Sequence, residues 1–192
     1  AEHVAARFMN EIGFSHGLFN MEFIHDEASG TLKVVEFNPR MAAQFSDLYA
    51  RVEGIDLHEI ALALGHGLDP ATLPVRDPVA SCASSFVYRS FDPAASVTMP
   101  SAAAVAAFRA AFPDALLFQF PKLPGQIQRD FKWLGSYRYG IMHLGGQGAE
   151  DLRERCERAS TLLGWPTPYV RAAGELDPTS AIPWPADIGT DN

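Results

Sequence analysis

Residues 34–40 read VVEFNPR. Glu36, Asn38 and Arg40 alternate with Val35, Phe37 and Pro39. A strand has a side-chain period of two, so the three polar groups share one face. Upstream, residues 17–25 (GLFNMEFIH) alternate in the same way, and DEASG at 26–30 has turn composition. The two runs form a β-hairpin. With the turn centred on Ser29, Glu22 falls opposite Glu36 and Asn20 opposite Asn38. One face then carries Asn20, Glu22, Glu36, Asn38 and Arg40. The other carries Phe19, Met21, Phe23, Val35 and Phe37, which hold the hairpin to a core.

The polar face raises an electrostatic problem. Side chains directly opposite on antiparallel strands have Cβ atoms ~4.5–5.5 Å apart, and like charges there destabilise the pair. One carboxylate can stay protonated, Arg40 can bridge the two, or a hard dication can sit between them. Mg²⁺ suits the donors: it takes oxygen ligands from one or two carboxylates and completes its shell with water and phosphate. Glu22, Glu36 and the amide oxygen of Asn38 make such an open half-site. Arg40 adds a fixed cation for a phosphate or a carboxylate. Two plainer readings stand beside this one. The acids can be a solvated pair on an exposed face, or a glycosidase pair at retaining distance. Against the latter stand the neighbouring amide and base and the lack of an aromatic sugar platform.

Composition narrows the partners. The chain has 192 residues, 47% apolar and 20% charged, with a net charge of −8. That is enough apolar material for a core. No Lys/Arg stripe stands out, so neither nucleic acid nor an anionic membrane is expected as a partner. The only cysteines, Cys82 and Cys156, are far apart and outside any CxxC spacing. A reducing, cytoplasmic setting is expected, with no disulfide framework and no thiolate zinc site. No signal peptide and no apolar run near ~18 residues is visible.

Around the hairpin the chain divides into segments. Val4, Phe8 and Ile12 have helical spacing, with Gly13 as a stop. The chain opens as if inside a helix, so a fragment of a longer protein is expected. A short helix fits 44–52, and DLHEIALALGHG (56–67) is a helix with Asp56 as N-cap and Gly65/Gly67 at its end. LDPATLPVRDP (68–78) holds three prolines and reads as a linker. Beyond it, strands are expected at 81–91, 115–120, around QIQRDF (126–131) and at 137–144. Helices are expected at 101–112, capped by Ser101, and at 148–164. The fold class is therefore α+β, with residues 1–72 as one segment, 76–172 as a small α+β module and 173–192 as an extended tail.

The hairpin resembles a known family. Glu36-Phe-Asn38-Pro-Arg40, with Glu22 on the preceding strand and DLYARVEGIDLHEIALALG (47–65) behind, is similar to the C-terminal part of the ATP-grasp fold. That fold belongs to ATP-dependent carboxylate–amine ligases, biotin carboxylase and their relatives, and the resemblance covers residues 1 to about 68. It implies ATP and Mg²⁺ as cofactors, with Mn²⁺ as an alternative ion. Position by position, Glu22 resembles the acid that binds one magnesium, Glu36 the acid that bridges two, and Asn38 the amide ligand of the second. Arg40 resembles the catalytic arginine that holds the transferred phosphate or the substrate carboxylate. The implied reaction activates a carboxylate as an acyl phosphate, which an amine then displaces. Biotin carboxylases continue with a Gln-Val-Glu-His run where this chain reads MAAQFSDLY, and the NPR form is closer to the branch of L-amino-acid ligases. The family's glycine-rich phosphate loop and adenine-side lysine are expected upstream of Ala1, which would leave the fragment itself inactive. Small carboxylate and amine substrates are the expected partners; a homodimer stays open. Alternatives are a non-catalytic binding or dimerisation module, or a kinase or synthetase relative with another acceptor.

Other features carry less. HLGGQGAED (143–151) reads as a turn and helix start rather than a phosphate loop. The six histidines show no HExxH spacing, and Ser81, Ser84 and Ser85 lack a nucleophile elbow. Ser15 and His16 precede the first strand and read as loop residues. Phe118, Phe120, Phe131, Trp133, Tyr137 and Tyr139 are expected in the core or an interface of the second module.

Overall fold

The computed structural model describes residues 1–92, 94 and 97–169. The tail expected from 173 onward lies outside them. Helix α1 (Glu2–Glu11) leads into strands β1 (Asn20–Asp26) and β2 (Thr31–Asn38), an antiparallel two-stranded sheet. The turn is set by Asp26: its Oδ1 accepts from Ala28 N at 3.0 Å and its Oδ2 from the Ser29 hydroxyl at 2.6 Å. The Asp26 carboxyl is accordingly held below its ordinary range, chiefly by Ser29. On the apolar face the ring of Phe37 lies 4.9 Å from Phe8, 5.7 Å from Phe19 and 6.1 Å from Phe14.

The register expected from the sequence holds where the polar residues lie. Asn20 pairs with Asn38, Met21 with Phe37 and Glu22 with Glu36. Between Glu22 and Phe23 the ladder slips, and Phe23 pairs with Val34. Val35 is the extra residue of a β-bulge. It is 56% exposed, so Phe37 and not Val35 fastens the strand to its neighbours.

A 3₁₀ turn at Ala43–Phe45 leads into α2 (Ser46–Val52) and α3 (Leu57–Gly65). Asp56 caps α3, accepting from His58 N at 2.8 Å. The proline-rich segment that follows lies back along both helices. Arg76 N donates to Gly54 O at 3.1 Å, while Val79 N and Ala80 N both donate to Arg51 O. Gly54 must be glycine: its φ is +67°, and a Cβ there would sit 1.8 Å from the Arg76 carbonyl oxygen.

The second sheet has the order β3–β5–β4, all antiparallel, from β3 (Cys82–Ser90), β4 (Leu116–Gln119) and β5 (Tyr137–Gly146). Three helices accompany it: α4 (Ala102–Ala111), α5 (Pro124–Leu134) and α6 (Ala149–Leu163). Ser101 caps α4 as expected, accepting from Ala104 N at 3.2 Å. Helix α5 corrects the strand expected around QIQRDF. Pro124 opens it, the Gln126 side chain accepts from Leu123 N at 2.9 Å, and Gly135 closes it at φ +64°. Ile127 and Phe131, four apart, pack on the core. Of the aromatics expected in the core or an interface, Tyr137 and Tyr139 are buried and Phe131 packs on the core, while Phe118 and Trp133 are 45% and 73% exposed.

The core sits on one face of β5, where Met142 and Leu144 meet Tyr88, Phe108, Cys156 and Trp165. Tyr88 OH and Ser160 Oγ lie 2.8 Å apart, so a buried phenol is satisfied. Burial pushes its pKa far up. The opposite face of β5 takes α2 through His143.

Candidate active site

The hairpin's polar face places all four residues expected from the sequence at its open end, away from the turn. Glu22 and Glu36 are direct cross-strand partners, and both are exposed. Asn38 Nδ2 donates to Asn20 Oδ1 at 3.3 Å, and Asn20 Nδ2 donates to the Arg40 carbonyl at 3.2 Å. These bonds tie the strand ends and leave Asn38 Oδ1 without a protein donor among the described residues. Arg40 N donates back to Asn38 O at 2.8 Å. Its guanidinium reaches only the Met41 carbonyl, at 3.4 Å, and forms no ion pair among the described residues. Arg40 therefore does not bridge the two glutamates.

The donors fit a hard cation: two carboxylate groups and a free amide oxygen, open to water. Among the described residues, no group of three or more His, Cys, Asp or Glu side chains is arranged to hold a metal. The hairpin set reaches its third ligand through an amide and would need water or substrate oxygens to complete a shell.

Beside Arg40 opens a cleft of about 400 Å³, into which Glu22 also faces. Met41, Phe45, Tyr49 and Leu57 form much of its wall. These residues were not singled out from the sequence, although a signal existed. Phe45, at the end of the 3₁₀ turn, and Tyr49, on α2, are four apart, while Asp47 and Arg51, also four apart, share the opposite face of the helix. That opposite face anchors the site. Arg51 Nε donates to Asp47 Oδ2 at 2.7 Å, Arg51 also holds Asp114, and Arg155 reaches Asp114 at 2.9 Å. His143 Nδ1 lies 3.3 Å from Asp47 Oδ2, close but off the line of a good hydrogen bond. Burial holds the imidazole below its ordinary pKa, and Asp47 opposes that shift without cancelling it. Ser15 and His16 line a second cleft of about 420 Å³, which shares Leu18 with the first.

The sequence matches no family model and no curated protein. Among solved structures, the chain is similar to the phosphoribosylaminoimidazole carboxylase ATPase subunit from Aquifex aeolicus. The match has a TM-score of 0.53 and 18% identity, and covers 85% of this chain and 43% of that one. The chain thus spans less than half the length of the protein it matches, and the likeness is one of fold. The α+β class with antiparallel sheets and helices, expected from the sequence, is the fold found, and it is shared with that structure. No helix among the described residues is long and apolar enough to cross a membrane.

Proposed function

We propose that this chain is the C-terminal part of an ATP- and Mg²⁺-dependent carboxylate–amine ligase of the ATP-grasp type. The observation that carries the reading is the register of the hairpin, which sets Glu22 directly opposite Glu36 at the end that also holds Asn38 and Arg40. The likeness in fold to an ATPase subunit supports it.

Glu22, Glu36 and Asn38 Oδ1 would hold magnesium, which would supply charge neutralisation of the phosphates and polarisation of the transferred phosphoryl group. Arg40 orients the substrate carboxylate, or the phosphate it acquires, with a forked pair of donors. The Asn20–Asn38 pair keeps the strand ends and the Arg40 backbone in place. The nucleophiles in this reading are the substrates: the carboxylate attacks the γ-phosphate and ADP leaves, and the amine then displaces inorganic phosphate from the acyl phosphate, giving up a proton as the amide forms.

The test is Glu36→Gln. In the complete ligase it is expected to abolish amine-dependent phosphate release. In this chain alone it is expected to weaken Mg²⁺ binding, followed by NMR, by about tenfold or more. Near-normal turnover together with unchanged Mg²⁺ binding sinks the assignment.

A further inference from the structure

We infer that the cleft beside Arg40 is the carboxylate-substrate pocket, and that the substrate is a monocarboxylate with an apolar or aromatic body whose size is set by Phe45 and Tyr49. The inference rests on the ligase reading and names its substrate class.

Three observations converge. Arg40 is the only cation among the residues lining the cleft, and it has no acid partner among the described residues. One unpaired guanidinium matches one carboxylate. Glu22 stands on the same wall but is given to the metal in the proposed function, so Arg40 alone is left to meet the charge of the substrate. Behind these groups the wall is apolar. Phe45 and Tyr49 present 43% and 47% of their surface, and Met41, Leu57 and Leu18 stand beside them. An acid as small as acetate would leave that wall wet, whereas an apolar body would cover it. The cleft, about 400 Å³, is at the small end of the ~300–1,000 Å³ typical of ligand sites.

Phe45 and Tyr49 are exposed, so truncating them leaves the core untouched. Tyr49 lies on the face of α2 opposite Asp47 and Arg51, which dock the helix on the second sheet, and Phe45 stands in the 3₁₀ turn just before that helix. Pocket size can thus vary without disturbing that docking.

The experiment is an NMR titration of this chain with phenylacetate, acetate and phenylacetamide, followed in separate samples by Mg²⁺. Phenylacetate is expected to shift resonances of Arg40, Met41, Phe45 and Tyr49, with acetate and phenylacetamide each about tenfold weaker or more. Arg40→Gln should weaken phenylacetate by about tenfold and leave phenylacetamide unchanged. Tyr49→Ala should weaken phenylacetate while leaving acetate unchanged. Equal affinity for acetate and phenylacetate, or shifts confined to other residues, overturns the pocket. If Mg²⁺ shifts Glu36 and Asn38 while phenylacetate shifts nothing, the pocket falls and the ligase reading stands. If neither ligand shifts the hairpin end, both fall.

Discussion

The hairpin and the three-stranded sheet are both antiparallel, and both rest on helices, but they distribute burial in opposite ways. No residue among the first forty-five is buried. Around β5, by contrast, Phe108, Met142, Leu144 and Cys156 are all 0% exposed. The hairpin gives one face to charged side chains and closes the other with half-buried phenylalanines. The sheet sandwiches β5 between α6 and α2. Stability is therefore concentrated in the sheet, and the proposed site lies on the part with least of it, as expected for a ligand-binding element.

The largest break in this comparison should come from the sheet. Phe108→Ala opens a cavity where the ring meets Phe112, 5.7 Å away, in the centre of the core. The expected loss is about 3–5 kcal/mol, read from urea denaturation. Phe37→Ala, on a half-buried hairpin ring, should lose clearly less. Equal losses would mean that the two regions do not differ as burial implies.

Next comes the joint between them. Arg51 is 7% exposed and holds Asp47 and Asp114 at once. Removing one partner of a buried pair costs about 3–5 kcal/mol, and here the figure should fall to about 2–3 because Asp114, half exposed, regains water. Arg51→Ala should also speed hydrogen exchange in α2 more than in β5.

A smaller effect comes from pH. His143 stays neutral in the fold below its ordinary pKa of 6.5 because burial outweighs the pull of Asp47, with Arg51 also opposing protonation. The unfolded chain binds the proton first, so this group's contribution is fully present above about pH 6.5 and is lost as pH falls toward its lowered folded value. Urea midpoints should drop between pH 7.5 and 5.5, and His143→Gln should flatten that part of the drop.

These joints were the least legible part of the chain. The hairpin, its polar register, the Asp56 and Ser101 caps and most strands follow from local spacing, which a sequence displays directly. The bulge at Val35 does not, because a one-residue slip needs no special residue when the strand face is exposed. Helix α5 differs from the strand expected around QIQRDF because only Gln126 to Gln128 alternate there; Pro124 and Gly135, with Ile127 and Phe131 four apart, are the helix signal. The Arg51–Asp114 pair joins residues 63 apart in sequence, a separation that periodicity cannot reveal. At the proposed site, the common placement of Glu22, Glu36, Asn38 and Arg40 is legible because each follows the period of its strand. Phe45, at the end of the 3₁₀ turn, and Tyr49, on α2, are not, because the side they share acquires meaning only once Asp47 and Arg51 are seen to occupy the other.

The smallest expected change in stability sharpens the comparison most. Glu36→Gln removes a charge from an exposed pair whose partner, Glu22, has the same sign. In a core the loss of a polar interaction would destabilise; here repulsion is relieved instead. The variant should be within about 0.5 kcal/mol of the parent, on the stabilising side. Adding Mg²⁺ reverses the order. An ion that binds only the folded hairpin stabilises the parent in proportion to the logarithm of its concentration, by about 1.4 kcal/mol at ten times its dissociation constant, and the variant by less. Hydrogen exchange at β1 and β2 amides, with and without Mg²⁺, reads both effects on the same residues. A Glu36→Gln hairpin that exchanges faster than the parent without Mg²⁺ would mean that Glu36 is held there by a structural contact. Slower exchange without the ion and a lost response to it would mean that the repulsion between Glu22 and Glu36 is relieved by a cation.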